Sequence, residues 1–338
     1  MWNLPTGDQL SARDAEQNLL HERAAAATRE VFGNRVFVRA VVEISNYCRE
    51  NCHYCGMRRD NRALERYRAR FEEIAELLIH HRPESVTDIN LQAGEDPIAV
   101  REIAIPLIRT LRRETRLGLS VCLGTLDHQL YSELLAAGAS VYILKFETAD
   151  AAAYNRCEAP GNLEERLRHI RHLAATGWNV SSGFICGLPG QTDEQLLENL
   201  HLAARLPLQG VSASPFIAGE QTPLADAVCD AADKTLNCMA LLRLTKPSWV
   251  IPAVSALNLA QPGDGYARGL RAGANLVTMN LTPRPLRQNY VLYKRGRFIM
   301  DEGRVLDSLA QTGLEPSTQS LAGYYQAPTA CASLALTA

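Results

Sequence analysis

Residues 35–45 read RVFVRAVVEIS and residues 46–61 continue as NYCRENCHYCGMRRDN. The first part is a β-branched, nearly all-apolar run, the pattern of a strand covered on both faces. The second is a polar loop in which Cys48, Cys52 and Cys55 stand in a C-x3-C-x2-C spacing. No hairpin turn joins the run to a second strand. Instead the figure of short apolar run, polar turn and helix-period segment recurs from Thr87, Gly118, Val141, Asn179, Gly210, Val250 and Asn275. Segments such as RFEEIAELLIHH, DHQLYSELLAAG and NLEERLRHIRHLAATG lie between these runs, two of the three closing on a run ending in Gly where a left-handed cap is expected. Alternating strands and helices predict a parallel sheet, and the runs over this length favour an α/β fold of the (β/α)8 TIM-barrel type over an open doubly wound sheet. Residues 1–34 read as a helical lead-in, 35–326 as the barrel and 327–338 as a loosely attached tail. Such barrels carry their chemistry at the carboxyl ends of the strands, which is where the cysteine loop falls.

The rest of the composition narrows the class. A net charge of −2 over 338 residues gives no general attraction to nucleic acid or to an anionic membrane. No basic, then apolar, leader opens the chain, and no run is apolar for long enough to cross a bilayer. A cytoplasmic protein acting on a small molecule is the expectation. Nine cysteines, an odd number, in a reducing compartment argue against a disulfide framework.

Three thiols in a polar loop admit several readings. Packing is improbable for all three, and a zinc site in a scaffold protein would need a fourth ligand, for which His53 is the local candidate. The remaining reading is a [4Fe-4S] cluster held at three irons, with the fourth open to a ligand. An open iron can take the amino and carboxylate groups of S-adenosylmethionine (SAM) beside a one-electron donor.

At this point the sequence resembles the radical SAM superfamily, whose hallmark is this cysteine spacing after the first barrel strand with an aromatic residue, here Tyr54, before the last cysteine. Further matches follow in order: Gly94 and Glu95 in GED, Glu147 in KFETAD, Arg166 in NLEERL, and Gly187, Leu188 and Pro189 in GLPGQT. The resemblance implies that these residues meet SAM, which would yield methionine and a 5'-deoxyadenosyl radical. Within the superfamily, RAVVEISNYCRENCHYCGMRRDN, LQAGEDP and AGANLVTMNLTP resemble the group holding the FeFe-hydrogenase maturase HydE, methylornithine synthase (PylB) and biotin synthase.

The resemblance implies a HydE-like step on a small sulfur-containing or amino-acid-derived substrate, with an amino-acid carbon-skeleton mutase or a biotin/lipoyl-type sulfur insertion as alternatives. Biotin synthase holds an auxiliary cluster at positions that here read Asn90, Ser120, Ser181 and Pro252, and of the second carboxyl-terminal cysteine triad of some relatives only Cys331 is present. Candidate substrate-cavity residues are Cys122, Ser255, Thr278, Met279, Asn280 and Thr282, while Cys157, Cys186, Cys229 and Cys238 read as core or helix-face positions. Arg58, Arg59, Arg62, Arg66 and Arg68 beside the cysteine loop form a candidate dock for an acidic flavodoxin or ferredoxin reductant. The pair His80 and His81 reads as a helix-end feature needing no metal.

Overall fold

The structure is a computed structural model that describes residues 5–296 and 298–327. Strands β1 (Arg35–Ser45), β2 (Asp88–Ala93), β3 (Gly118–Cys122), β4 (Val141–Ile143), β5 (Asn179–Cys186), β6 (Gly210–Pro215) and β7 (Leu276–Asn280) form one parallel sheet in the order β6-β5-β4-β3-β2-β1-β7. A two-residue strand β8 (Glu315–Pro316), which the sequence pattern did not suggest, pairs with the start of β1.

The run at Val250, expected as a full strand, is reduced to two parallel bridges, Val250 to Gly210 and Pro252 to Leu276. Pro252 has no amide hydrogen to donate, and a helix already begins at Ser255, so no longer ladder can form. Those bridges still span from β6 to β7 and close the curled sheet into a barrel of the TIM type.

The strand alternation sorts side chains between two cores. On β1, Val36, Val38, Ala40, Val42 and Ile44 point outward and are buried against the helices. Their neighbours Arg39, Val41 and Glu43 point inward and line a central cavity. The lead-in is packed into the fold rather than extended from it: helix Asp14–Phe32 buries Leu20, Ala24 and Thr28, and Asn237 donates to the Leu10 and Ala12 carbonyls. Below the sheet, Phe37, Val250, Leu276 and Leu321 form a floor. Its helix, Leu321–Gln326, hangs from the Asp88 carboxylate, which accepts the Leu321 amide at 3.0 Å. The expected tail, with Cys331, lies outside the described residues beyond Ala327. Among the described residues no helix is long and apolar enough to cross a membrane.

Candidate active site

The loop after β1 is held by fixed polar contacts before any thiol is considered. Ser45 donates to Asp96 at 2.7 Å, and Arg68 grips the same carboxylate with two bonds of 2.7 and 3.0 Å. Burial would raise the Asp96 carboxyl, but Arg68, Ser45 and the Ala99 amide outweigh it and hold the group below its ordinary range. Asn46 ties the loop to the Glu65 and Asn289 carbonyls, and Arg66 donates to the carbonyls of Asn46, Met57 and Arg58. Two of the five arginines expected on the surface, Arg66 and Arg68, are half-buried and taken up by contacts that hold this loop. Gly94 is required by close approach: a Cβ there would overlap the Tyr47 carbonyl oxygen.

Cys48, Cys52 and Cys55 all line the cavity. The Glu95 amide donates to the Cys48 sulfur at 3.4 Å. Burial pushes the Cys48 and Cys52 thiols up, the latter helped by its two neighbours, and Cys55 is pushed up to about 12. Such thiols stay protonated until a cation replaces the proton. Among the described residues no three His, Cys, Asp or Glu side chains converge as ligands of a single ion, and His53 is turned to Glu158 at 3.3 Å. Thiols that share one wall without converging on a point suit a cluster in which each thiolate takes its own iron.

Beside the thiols lies a buried charge network. Arg166 is 4% exposed and Glu95 5%, with 3.6 Å between them. Both grip one turn: Arg166 donates to Thr125 Oγ1 at 2.6 Å, and Glu95 accepts the Thr125 amide at 2.8 Å. Arg49 adds a bond to the Thr125 carbonyl and one to Glu95. Gly124, at φ +73°, leaves room for Glu95, whose side chain a Cβ would strike. Burial opposes the Arg166 charge, yet Tyr154, Glu95 and Glu147 hold it firmly in place. Glu147 adopts φ +63°, a strained conformation for a residue with a side chain. Burial raises its carboxyl, offset by Lys145 and Arg166, and it favours the charged form of the half-buried Lys145 in turn. Glu50 lines the same wall, its carboxyl raised by burial and by Glu95. Thr125, Gly124, Lys145 and Glu50 were not anticipated from the sequence.

Next to this network is an apolar shelf, where Tyr54 packs against Ile185, Leu188, Phe216 and Ala218. Tyr54 faces the cavity, whereas Gly187, Leu188 and Pro189 stand behind its wall. Gly187 (φ +83°) turns the chain, its amide held by Gln191, and the exposed Pro189 leads to the Thr192 helix cap. Phe216 and Ile217, residues 290–293 and residues 298–300 contribute to the cavity lining, and this part is tied to the cysteine loop through Gly56, whose amide meets the Leu292 carbonyl at 3.1 Å.

The cavity has a volume of about 360 Å³ and runs from the thiols to the floor. Of the expected substrate residues, Cys122, Thr278 and Asn280 line it, and Ser255 is exposed at a helix start on its edge. Met279 points the opposite way into the outer core, because it alternates with Thr278 and Asn280 along β7. Thr282 is off the cavity and receives the Glu43 amide at 2.9 Å. Ser181, Ser212 and Ser214 add hydroxyls to the wall, and the Arg39 Nε, buried beside the cavity, has no hydrogen-bond partner among the described residues. Cys157, Cys186 and Cys238 are buried as expected, but Cys229 is exposed in a loop, where its sulfur accepts the Ala218 amide. His80 and His81 are exposed beside Glu76.

Comparison with known proteins agrees with this geometry. The family model described as the radical SAM superfamily matches residues 42–203. The [FeFe] hydrogenase maturase subunit HydE of Thermotoga maritima is 35% identical over 287 residues, 85% of this chain and 82% of that protein. The 3-methylornithine synthase of Methanosarcina acetivorans is 27% identical over 317 residues, 92% of this chain and 89% of its own. The crystal structure of methylornithine synthase (PylB) superposes with a TM-score of 0.82 at 26% identity, covering 93% of this chain and 95% of that one. A cysteine wall, a paired acid and base, and relatives matched over most of both chains converge on one conclusion: the chain belongs to the radical SAM superfamily and is an enzyme that uses a [4Fe-4S] cluster and SAM.

Proposed function

We propose that Cys48, Cys52 and Cys55 hold the cluster, that Glu95, Glu147 and Arg166 hold the polar end of SAM, and that Tyr54 lies along its adenine. When bound, this pair supplies reductive cleavage of SAM to methionine and a 5'-deoxyadenosyl radical. The observation that carries the assignment is that all seven side chains wall one cavity. Within it the chain's own residues do the orienting: Thr125 fixes Arg166 and Glu95 relative to each other, and Tyr290, Leu292, Tyr293 and Phe298 add apolar lining that limits water around a reactive carbon centre.

The substrate is a small, amino-acid-derived or sulfur-containing molecule, as in a HydE-like step. Arg39 and Lys145 among serine and threonine hydroxyls favour a ligand bearing a carboxylate. A methylornithine synthase-like carbon-skeleton mutase is the second reading, favoured by the close superposition of the two barrels. Sulfur insertion is disfavoured, since Asn90, Ser181 and Pro252 put no thiol on the inner wall and Ser120 is spent on Asn90. The reductant, a flavodoxin or ferredoxin, docks at Arg58, Arg59 and Arg62, and the enzyme works in the cytoplasm as one catalytic domain over 35–326 behind the 1–34 lead-in.

Anaerobically reconstituted enzyme incubated with SAM, reductant and a panel of deuterated amino acids and thioethers tests this reading. Deuterium entering 5'-deoxyadenosine from a carboxylate-bearing member is the expected result. Methionine and 5'-deoxyadenosine in stoichiometric amounts argue for the HydE-like step, and recovered SAM argues for the mutase. Transfer only from compounds lacking a carboxylate contradicts the roles of Arg39 and Lys145.

A further inference from the structure

The turn Gly124–Leu126 is the joint on which the acid and base of the cofactor site are mounted, and its outer side is fastened by a hydrogen-bond chain that reaches an imidazole. The Leu126 amide donates to the Tyr131 hydroxyl oxygen at 3.0 Å, and that hydroxyl lies 3.2 Å from His169 Nδ1. Tyr131 is 1% exposed. Its oxygen accepts from Leu126, and among the described residues the acceptor within reach of the hydroxyl hydrogen is His169 Nδ1 when that nitrogen carries no proton; a protonated Nδ1 instead donates to the phenol oxygen, competes there with the Leu126 amide and leaves the hydroxyl hydrogen without that acceptor. Burial pushes the Tyr131 hydroxyl up to about 12, so the phenol itself stays a donor. His169 shares its helix, Leu163–Ala175, with Arg166, one turn away. Both ends of the Thr125–Arg166 contact are therefore tied to the same imidazole.

We propose that His169 is a positioning residue for SAM, acting as a proton-sensitive latch: neutral, it holds Tyr131 and the 124–126 turn so that Thr125 presents Arg166 and Glu95 to the cofactor, and protonation releases them. The proposal rests on the assignment of Glu95 and Arg166 to SAM. The groups facing His169 are Glu165, Arg166 and His172 from its own helix, and His128 and Tyr131 from the helix His128–Ala137. Only Glu165 favours the imidazolium. His128 packs against His169 at 5.7 Å between centroids and stacks on His172 at 3.7 Å, so a proton on any one ring opposes a proton on the next. Burial, then His128, lowers the His169 pKa from 6.5, which leaves the latch closed at neutral pH. Release comes as pH falls through that lowered pKa.

The test is SAM affinity of the reconstituted holoenzyme between about pH 8 and about pH 5, read by calorimetry, with hydrogen-exchange protection of the Leu126 amide followed in the same samples. Wild-type Kd is expected to weaken about tenfold on the acid side, with loss of Leu126 protection. His169→Asn places a non-titrating oxygen acceptor near the position of Nδ1. It should keep wild-type affinity at pH 8 and lose most of the acid weakening. Tyr131→Phe should weaken binding at every pH. Identical pH profiles for wild type and His169→Asn overturn the latch. Failure of the wild type to bind SAM at any pH instead overturns the assignment of the cofactor site, and the latch with it.

Discussion

The two halves of the cavity are built differently. On the wall made by β1 to β5, nearly every charge has a partner at a definite distance: Asp96 with Arg68 and Ser45, Glu95 with Thr125 and Arg49, Arg166 with Thr125 and Tyr154. On the wall from Val250 to Asn280 the strand is broken into bridges and the side chains are small, and the Arg39 side chain that reaches across from β1 to Thr278 keeps an Nε with no partner among the described residues. A ligand common to a whole superfamily can be met by preorganised dipoles, whereas a ligand peculiar to one member must supply the missing partners itself. On the proposed assignment, the paired wall serves the cofactor and the less paired one the substrate.

The largest effect expected from breaking this contrast is at the thiols. Cys48→Ala, Cys52→Ala or Cys55→Ala should each abolish iron retention and SAM cleavage, measured by iron and sulfide content and by 5'-deoxyadenosine formation. A variant that keeps the cluster spectrum and full turnover removes that cysteine from the set. Next is Arg68→Met, which leaves the Asp96 carboxylate buried without its cation. A stability loss of about 3 kcal/mol is expected in denaturant titrations. The sign with pH follows from the lowered Asp96 pKa: the pair stabilises the fold above the ordinary carboxyl range, and that contribution fades as pH falls through the depressed value. Wild type should therefore lose its advantage over Arg68→Met in acid.

Thr125→Val deletes one half-buried acceptor for Arg166 and should cost about 1–3 kcal/mol in SAM binding, roughly five- to 150-fold in Kd, with little change in global stability. Smallest is Thr278→Val on the opposite wall. It should leave the SAM Kd within about twofold, a change well under 1 kcal/mol, while altering KM for the substrate; an equal loss of SAM affinity would erase the distinction between the walls.

Much of this was legible in the sequence, and unevenly so. The barrel follows from the repeat of apolar runs, and the cysteine loop from its spacing after the first of them. The seventh run misled because its apolar character resembles a strand, while Pro252 and the helix start at Ser255 cut it short. In the site, motif residues were found and their supports were not. Thr125 lies in a turn with no spacing signal, and its role appears only when Arg166 and Glu95, 71 residues apart in sequence, meet on it. Arg39, Glu43 and Lys145 carried an unused signal. Each is a charged residue inside an otherwise apolar strand run, at the alternation that points inward. The same alternation, applied to β7, sends Met279 outward while keeping Thr278 and Asn280.

The central claim is that one cavity wall presents the three thiols and the Glu95–Arg166 pair to a single cofactor assembly. SAM titrated into anaerobically reconstituted enzyme, followed by the electron paramagnetic resonance of the reduced cluster, tests it most directly. The account predicts about four irons per chain on the three-cysteine pattern, a spectrum that shifts on SAM addition, and no shift in Arg166→Gln at the SAM concentration that saturates wild type. A cluster whose spectrum ignores SAM, or zinc in place of iron, would contradict it.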